Sequence, residues 1–204
     1  MSAQNLTSPD PLAVALWPSK PANGTQTALR FIALALIGAA LLAISAKIRV
    51  PLPFTPVPMT LQTIAIMGLG AAYGMRLGLA TILLYLAIGA LGFDVFTSST
   101  AENYGLAYMM GSTGGYLVGF VIAMGVIGYF AERGWDRSIA KMFGLMLFAD
   151  VIIFALGLLW LGNLVGWDKP VLEWGLYPFV AGDIVKIALA SAMVPAIWAW
   201  LKRS

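Results

Sequence analysis

From Leu29 onward the chain is filled by six apolar blocks, interrupted by short polar or proline-rich stretches. Apolar runs of near-spanning length predict helices surrounded by lipid or by one another, here at about 29–48, 60–73, 77–92, 112–131, 139–165 and 177–201. The second and third fall below the roughly 20 residues that an upright crossing needs, so they are expected to join irregular backbone that is buried in protein or lines a cavity. Residues 1–28 are polar and punctuated by proline, and their longest apolar run, Leu12 to Trp17, is too short for a signal-peptide core. The expected organisation is a cytoplasmic N-terminal tail at 1–28 and one six-helix membrane domain at 29–204.

Composition sharpens this reading. Of the 204 residues 60% are hydrophobic and only 10% charged, against roughly 25% charged in soluble domains, which makes the chain an integral membrane protein. Six spans leave little room for a soluble catalytic or nucleotide-binding domain. There is no Gly-x-x-x-x-Gly-Lys-Ser/Thr phosphate loop, so any use of ATP has to come from partner subunits. The absence of cysteine and histidine removes disulfides, thiolate nucleophiles, most zinc sites and imidazole acid–base chemistry, and no cofactor or metal is expected.

The net charge is only +3 and the basic residues sit at span ends, which points to topology and not to nucleic acid. Alternate loops place Lys20, Arg30, Arg76, Arg133, Arg137, Lys141, Lys202 and Arg203 on one side and Lys47, Arg49 and Lys169 on the other. This bias predicts a multi-pass protein of the cytoplasmic membrane with both termini in the cytoplasm. Trp160, Trp167, Trp174, Trp198 and Trp200 fall near span ends and read as interfacial anchors.

Two outer loops stand out. In the segment from Val50 to Thr63, Pro51, Pro53, Pro56 and Pro58 forbid helix and hold the chain extended, which suits a lid. The stretch from Phe93 to Met110 mixes Asp94, Ser98, Ser99, Glu102, Asn103 and Tyr104 with apolar residues and is expected near a cavity mouth.

Charge within the apolar blocks carries the candidate chemistry. Asp183 and Lys186 lie one helical turn apart in the last block, where a single charge at mid-bilayer depth costs about 2.5–3.5 kcal/mol. They either neutralise each other to orient the span or meet a polar ligand, and Pro178 and Gly182 just before them favour the ligand. Gly111-Ser-Thr-Gly-Gly-Tyr116 opens the fourth span, where free backbone N–H groups and glycines suit either a close-approaching ligand or helix–helix contact. Asp150, in the middle of the fifth span, reads as a structural hydrogen-bonding group or a ligand contact. Ala35, Ala39 and Ala43 form a small-residue stripe on the first span, suited to close helix packing.

Four segments, 53–63 (PFTPVPMTLQT), 84–92 (LYLAIGALG), 112–120 (STGGYLVGF) and 178–186 (PFVAGDIVK), together resemble the BioY family, the biotin-specific substrate-binding (S) components of energy-coupling factor (ECF) transporters. The resemblance runs in order from about residue 30 to 200. It implies an all-α, polytopic S-component-like fold of six transmembrane helices with an outer Pro-rich lid. It further implies high-affinity biotin uptake without enzymatic activity, in company with a T subunit and two cytoplasmic ATPases. Carried over residue by residue, it implies ligand contact by Asp183 and Lys186. Cavity-lining roles follow for Thr60 and Gln62 of the Pro-rich loop and for Thr113, Gly114 and Tyr116. Phe54 and Tyr116 are expected as walls, with Asn103 and Tyr104 nearby, and Ala35, Ala39 and Ala43 as the docking stripe for the T subunit. The family often has Gly-Pro-Thr-Gly-Gly-Tyr where this chain has Gly-Ser-Thr-Gly-Gly-Tyr, a change that leaves the glycines in place.

Rival readings are an S component for another small vitamin, a permease acting alone or as a homo-oligomer, and an intramembrane aspartyl protease using Asp150 and Asp183. Against the protease, Lys186 one turn from Asp183 holds that carboxylate ionised where a proton-sharing pair needs one acid neutral.

Overall fold

The computed structural model describes residues 11–13, 23–50, 52–98 and 103–201. Among them the chain forms seven α-helices, one 3₁₀ turn and a pair of two-residue strands. The helices are α1 (Gly24–Lys47), α2 (Gln62–Ala90), α3 (Gly105–Met109), α4 (Gly114–Ala131), α5 (Ile139–Val165), α6 (Val171–Gly175) and α7 (Tyr177–Leu201). Five segments are long and apolar enough to cross a membrane: α1, α2, α4, α5 and α6 with α7 taken together. The sixth crossing is made inside α2.

Gly74 breaks α2 with φ 73° and ψ −177°, a conformation open to glycine and strained for any residue with a Cβ. The chain turns back there, so that Gly78 comes to rest beside Gly70. Segments 62–73 and 75–90 are therefore two antiparallel helices, in agreement with the two short spans read from the sequence. At 1.5 Å per residue the first is only about 18 Å long, well short of the ~30 Å hydrocarbon core. The missing length is supplied by the strand pair at its start.

The second half of the hairpin begins with free N–H groups, and Glu132 at the end of α4 reaches over to accept from Met75 N–H at 2.8 Å. A carboxylate at a helix N-terminus satisfies an otherwise orphan donor and opposes the helix dipole. Glu132→Ala is expected to cost about 1 kcal/mol, seen as a lower Tm in detergent, while Glu132→Gln keeps most of the acceptor and most of the stability.

Capping sets the other helix starts. Asn23 accepts from Gln26 N–H at 2.9 Å, so α1 begins at Gly24, ahead of the predicted Leu29. Pro178 lies in the first turn of α7, where its missing N–H costs nothing, and the helix runs on unbroken through Asp183 and Lys186 instead of loosening there.

Helix α4 lies at the centre of the bundle between α2 and α5. Its glycines make this possible: Gly115 and Gly119 sit directly on the backbone of α5 at Leu156 and Ile153, and Gly128 sits on the turn at Gly74 and Met75. The small-residue face of α1 also turns inward. Ala35 and Ala39 are 5% and 3% exposed, Gly38 abuts Thr81 and Tyr73 of α2, and Ala43 is half-buried. Within the chain this face packs against α2, as close helix packing of a small-residue stripe requires. The outward face of α1 is formed by Leu29, Ile32, Leu36, Ile37, Leu41 and Ile44.

Trp198 departs from the expected interfacial belt. It is 3% exposed and donates from Nε1 to Asp136 Oδ2 at 2.5 Å, with the Arg137 guanidinium 4.8 Å above its ring. Burial pushes the Asp136 carboxyl up from its ordinary range, and the Trp198 donor and Arg137 draw it partly back. The 3₁₀ turn at Trp135–Arg137 thereby clasps the end of α7. Trp167 and Trp200 remain exposed as expected.

Candidate functional site

At the opposite end of the bundle from this clasp, the Pro-rich segment folds as a short antiparallel hairpin, with Arg49 paired to Thr60 and Val50 to Met59. Prolines keep the connecting residues out of helix, and side chains pin them: Thr55 Oγ1 donates to Trp174 O at 2.5 Å and Ser112 Oγ to Pro56 O at 3.2 Å. The hairpin thus rests on the tops of α4 and α6. Met59 packs within 3.5 Å of the position a Cβ would take on Gly182 of α7.

The second covering segment follows α2. Lys47, at the end of α1, pairs with Asp94 at 2.5 Å and donates to Phe96 O at 2.6 Å, and Arg49 donates to Ser98 at 2.7 Å. These contacts fix the loop so that the Phe96 ring lies flat against Gly89, where no larger residue leaves room for it.

Beneath the two segments is a cavity of about 580 Å³, its open mouth included. The walls are two aromatic ladders. On one side Phe96 stacks on Tyr108 at 4.8 Å and meets Tyr85 edge-on at 5.5 Å. On the other, Phe154 stands 6.2 Å from both Tyr116 and Phe179. Tyr116 is locked by donating to Gly175 O at 2.8 Å, with its ring against Gly157.

Polar groups enter between the ladders. Lys186 Nζ donates to Asp183 Oδ1 at 2.7 Å, with both side chains 10% exposed or less. Both lie on the inward face of α7 and line the cavity. Gln62, 3% exposed, has a side-chain Nε2 with no hydrogen-bond partner and also lines the cavity. A buried amide donor left unmatched costs roughly 1–3 kcal/mol, so an acceptor on a bound molecule would stabilise this site. Thr60, Thr63, Thr97 and Thr113 complete the polar lining. Among the described residues no three His, Cys, Asp or Glu side chains gather to hold a metal.

Of the residues expected from the sequence, Asp183, Lys186, Tyr116, Thr113, Gln62 and Thr60 converge on this cavity. Gly114 does not line it; it packs under Trp160 and the end of α3. Phe54 is 58% exposed on the hairpin, and Tyr104 is 53% exposed beside Gly92, while Asn103 is exposed. These four stand outside the walls, Phe54 because its turn points it away from the bundle. Ser99, Glu102 and Pro51 lie outside the described residues. The aromatic residues Tyr85, Phe96, Tyr108, Phe154 and Phe179 were not singled out from the sequence, since an aromatic in an apolar span carries no mark of facing a cavity.

The BioY family profile matches residues 19–203. A probable biotin transporter BioY of Pyrococcus horikoshii is 36% identical over 78% of this chain and 90% of its own length. The biotin transporter BioY of Thermotoga maritima is 33% identical over 74% of this chain and 86% of its own length. The biotin transporter BioY of Rhizobium etli is 28% identical over 80% and 89% respectively. Among solved structures, the S-component for biotin from an ECF-type ABC transporter superposes with a TM-score of 0.72 at 24% identity, covering 87% of this chain and 94% of that one, which shows a shared fold. With the profile spanning all six membrane segments and the cavity between them, this chain belongs to the BioY family.

Proposed function

We propose that this chain captures biotin from the outer side of the cytoplasmic membrane and carries it inward as the S component of an ECF transporter. The T subunit and two cytoplasmic ATPases would supply the energy, and the chain itself would hold no cofactor and perform no catalysis. Both termini would lie in the cytoplasm, which places the hairpin and the cavity mouth outside.

The observation that carries this reading is the buried Asp183–Lys186 pair on the wall of an aromatic cavity, facing an unmatched Gln62 donor. Biotin offers two ureido N–H donors, a ureido carbonyl, an apolar fused ring containing sulfur, and a carboxylate on a flexible chain. Carboxylate, amide, hydroxyl and aromatic groups complement each of these. In the proposed pose Asp183 accepts from a ureido N–H, Lys186 holds Asp183 in place, Gln62 donates to a ligand oxygen and the ladders enclose the ring. Nanomolar binding corresponds to about −12 kcal/mol, or roughly 0.8 kcal/mol for each of about 16 heavy atoms, below the ceiling for small ligands.

Mass spectrometry of small molecules retained through purification in mild detergent tests the ligand. Biotin in the extract is the expected result, and a different vitamin there would reassign the site. Uptake of labelled biotin in a transport-deficient host, with and without the ATPase partners, tests the partnership. Uptake that is equally fast without them would identify a solitary permease.

The ladder gives a further prediction. Gly89→Ala places a methyl group where the Phe96 ring now lies, and because Phe96 is carried by a loop it can leave without unfolding the bundle. Biotin affinity is expected to fall about tenfold, one aromatic contact being worth on the order of 1 kcal/mol, and Tm to fall with it because the fully buried Phe96 leaves the core. Titration and thermal unfolding on the same sample check both halves.

A further inference from the structure

Among the described residues of the membrane-spanning helices, Asp150 is the buried acidic side chain that the binding scheme above leaves unused. It lies in α5, 7% exposed, with Oδ1 lacking any hydrogen-bond partner. Its neighbours one turn along the helix, Ile153 and Phe154, both line the cavity. Helices α5 and α7 pack against each other, and Ile153 and Phe154 share the cavity wall with Asp183 and Lys186. Asp150 is accordingly within electrostatic reach of both Asp183 and Lys186.

An unpartnered carboxylate oxygen at this depth is costly unless a donor reaches it in some state of the protein. Lys186 is the available donor: its ammonium carries three N–H groups, and one is directed at Asp183. A ligand N–H that bonds Asp183 shares that carboxylate with Lys186, and the other ammonium N–H groups remain for a second acceptor. Resting on the biotin reading, we infer that Asp150 is a positioning residue of the ligand site, a second acceptor that the Lys186 ammonium takes while it holds Asp183 against a ligand donor. Lys186 thereby bridges two carboxylates, one on each helix, and ties α5 and α7 together beneath the cavity when ligand is bound.

The test is biotin titration of purified wild-type protein and of Asp150→Asn, Asp150→Ser and Asp150→Glu, with Tm recorded for each. If the carboxylate acts through Lys186, Asp150→Asn loses about tenfold in affinity although it is isosteric, and Asp150→Glu, which retains the charge, stays within about threefold of wild type. In a Lys186→Gln background, Asp150→Asn is then expected to change affinity less than twofold. A purely structural Asp150 gives the reverse pattern, with Asn tolerated and the longer Glu disruptive, and that result overturns the inference. Unchanged affinity in all three variants overturns it as well. So does failure of both neutral variants to fold, because the carboxylate would then belong to folding. If the wild type itself binds no biotin, the functional reading fails; if it binds and Asp150→Asn binds equally well, only the role of Asp150 fails.

Discussion

Asp183→Asn is expected to weaken biotin binding by about 100-fold or more and to lower Tm, since it leaves the buried Lys186 ammonium without its counter-charge. Hydrogen bonds to a charged acceptor contribute about 1.5–3 kcal/mol, and 100-fold corresponds to about 2.7 kcal/mol. Lys186→Met breaks the pair from the other side. It leaves a carboxylate that is 5% exposed without its counter-charge, and breaking a buried pair from one side costs about 3–5 kcal/mol. The double replacement Asp183→Leu with Lys186→Met removes both charges and is expected to recover much of the stability but none of the binding. Tm and biotin titration on the three variants separate a pair that serves a ligand from one that only anchors a helix: the anchoring role predicts that affinity follows Tm throughout.

Gly115→Ala is expected to damage this fold severely for a single added methyl group. At Gly115 a Cβ would overlap Leu156 O and Trp160 Cβ on α5, and main-chain atoms cannot rotate out of the way. Overpacking of this kind costs about 3 kcal/mol and forces α4 away from α5. Tyr116 would shift with it, so binding is lost along with stability. Gly144→Ala on the same α5 is the control. A Cβ there meets nothing within 4 Å, and exchange of an exposed helical glycine for alanine is expected to be neutral or to stabilise by about 0.5–1 kcal/mol. Size-exclusion profiles and Tm values of the two variants make the comparison.

The order and approximate bounds of the six spans were legible because lipid demands long apolar runs, and these differ sharply from the proline-rich and mixed loops between them. Gly74 was not legible as a turn. One glycine among many in apolar sequence does not announce a positive φ, although the two short spans on either side marked the place. Asp183 and Lys186 were legible because a charge in an apolar block is expensive and demands a use. Asp136 carried no such signal, since its partner Trp198 lies far along the chain and only folding brings them together. The same holds for Phe96 and Tyr108. Both lie in the mixed segment expected near the cavity mouth, but which aromatics of that segment turn inward depends on Lys47 clasping Asp94 and on the empty face of Gly89. Tyr104, chosen from the same segment, packs at Gly92 instead. The stripe at Ala35 and Ala39 was legible as a close-packing surface, but α2 as the helix that lies on it was not, because spacing alone does not name the partner.

Energy for release is a consequence of the same geometry. Walls pinned by Thr55, Ser112 and Lys47 from above oppose exit as well as entry. A partner that tilts or distorts the bundle has to act on these contacts, and it can favour release only by binding the distorted state more tightly than the closed one.

Equilibrium binding of radiolabelled biotin to ligand-stripped protein, reconstituted in lipid nanodiscs, asks most directly whether the charged pair beneath the hairpin serves an imported vitamin. Saturable binding of one biotin per chain at nanomolar concentration, abolished by Asp183→Asn, is the expected result. No saturable binding by the wild type up to millimolar biotin, or binding that survives Asp183→Asn unchanged, would contradict it.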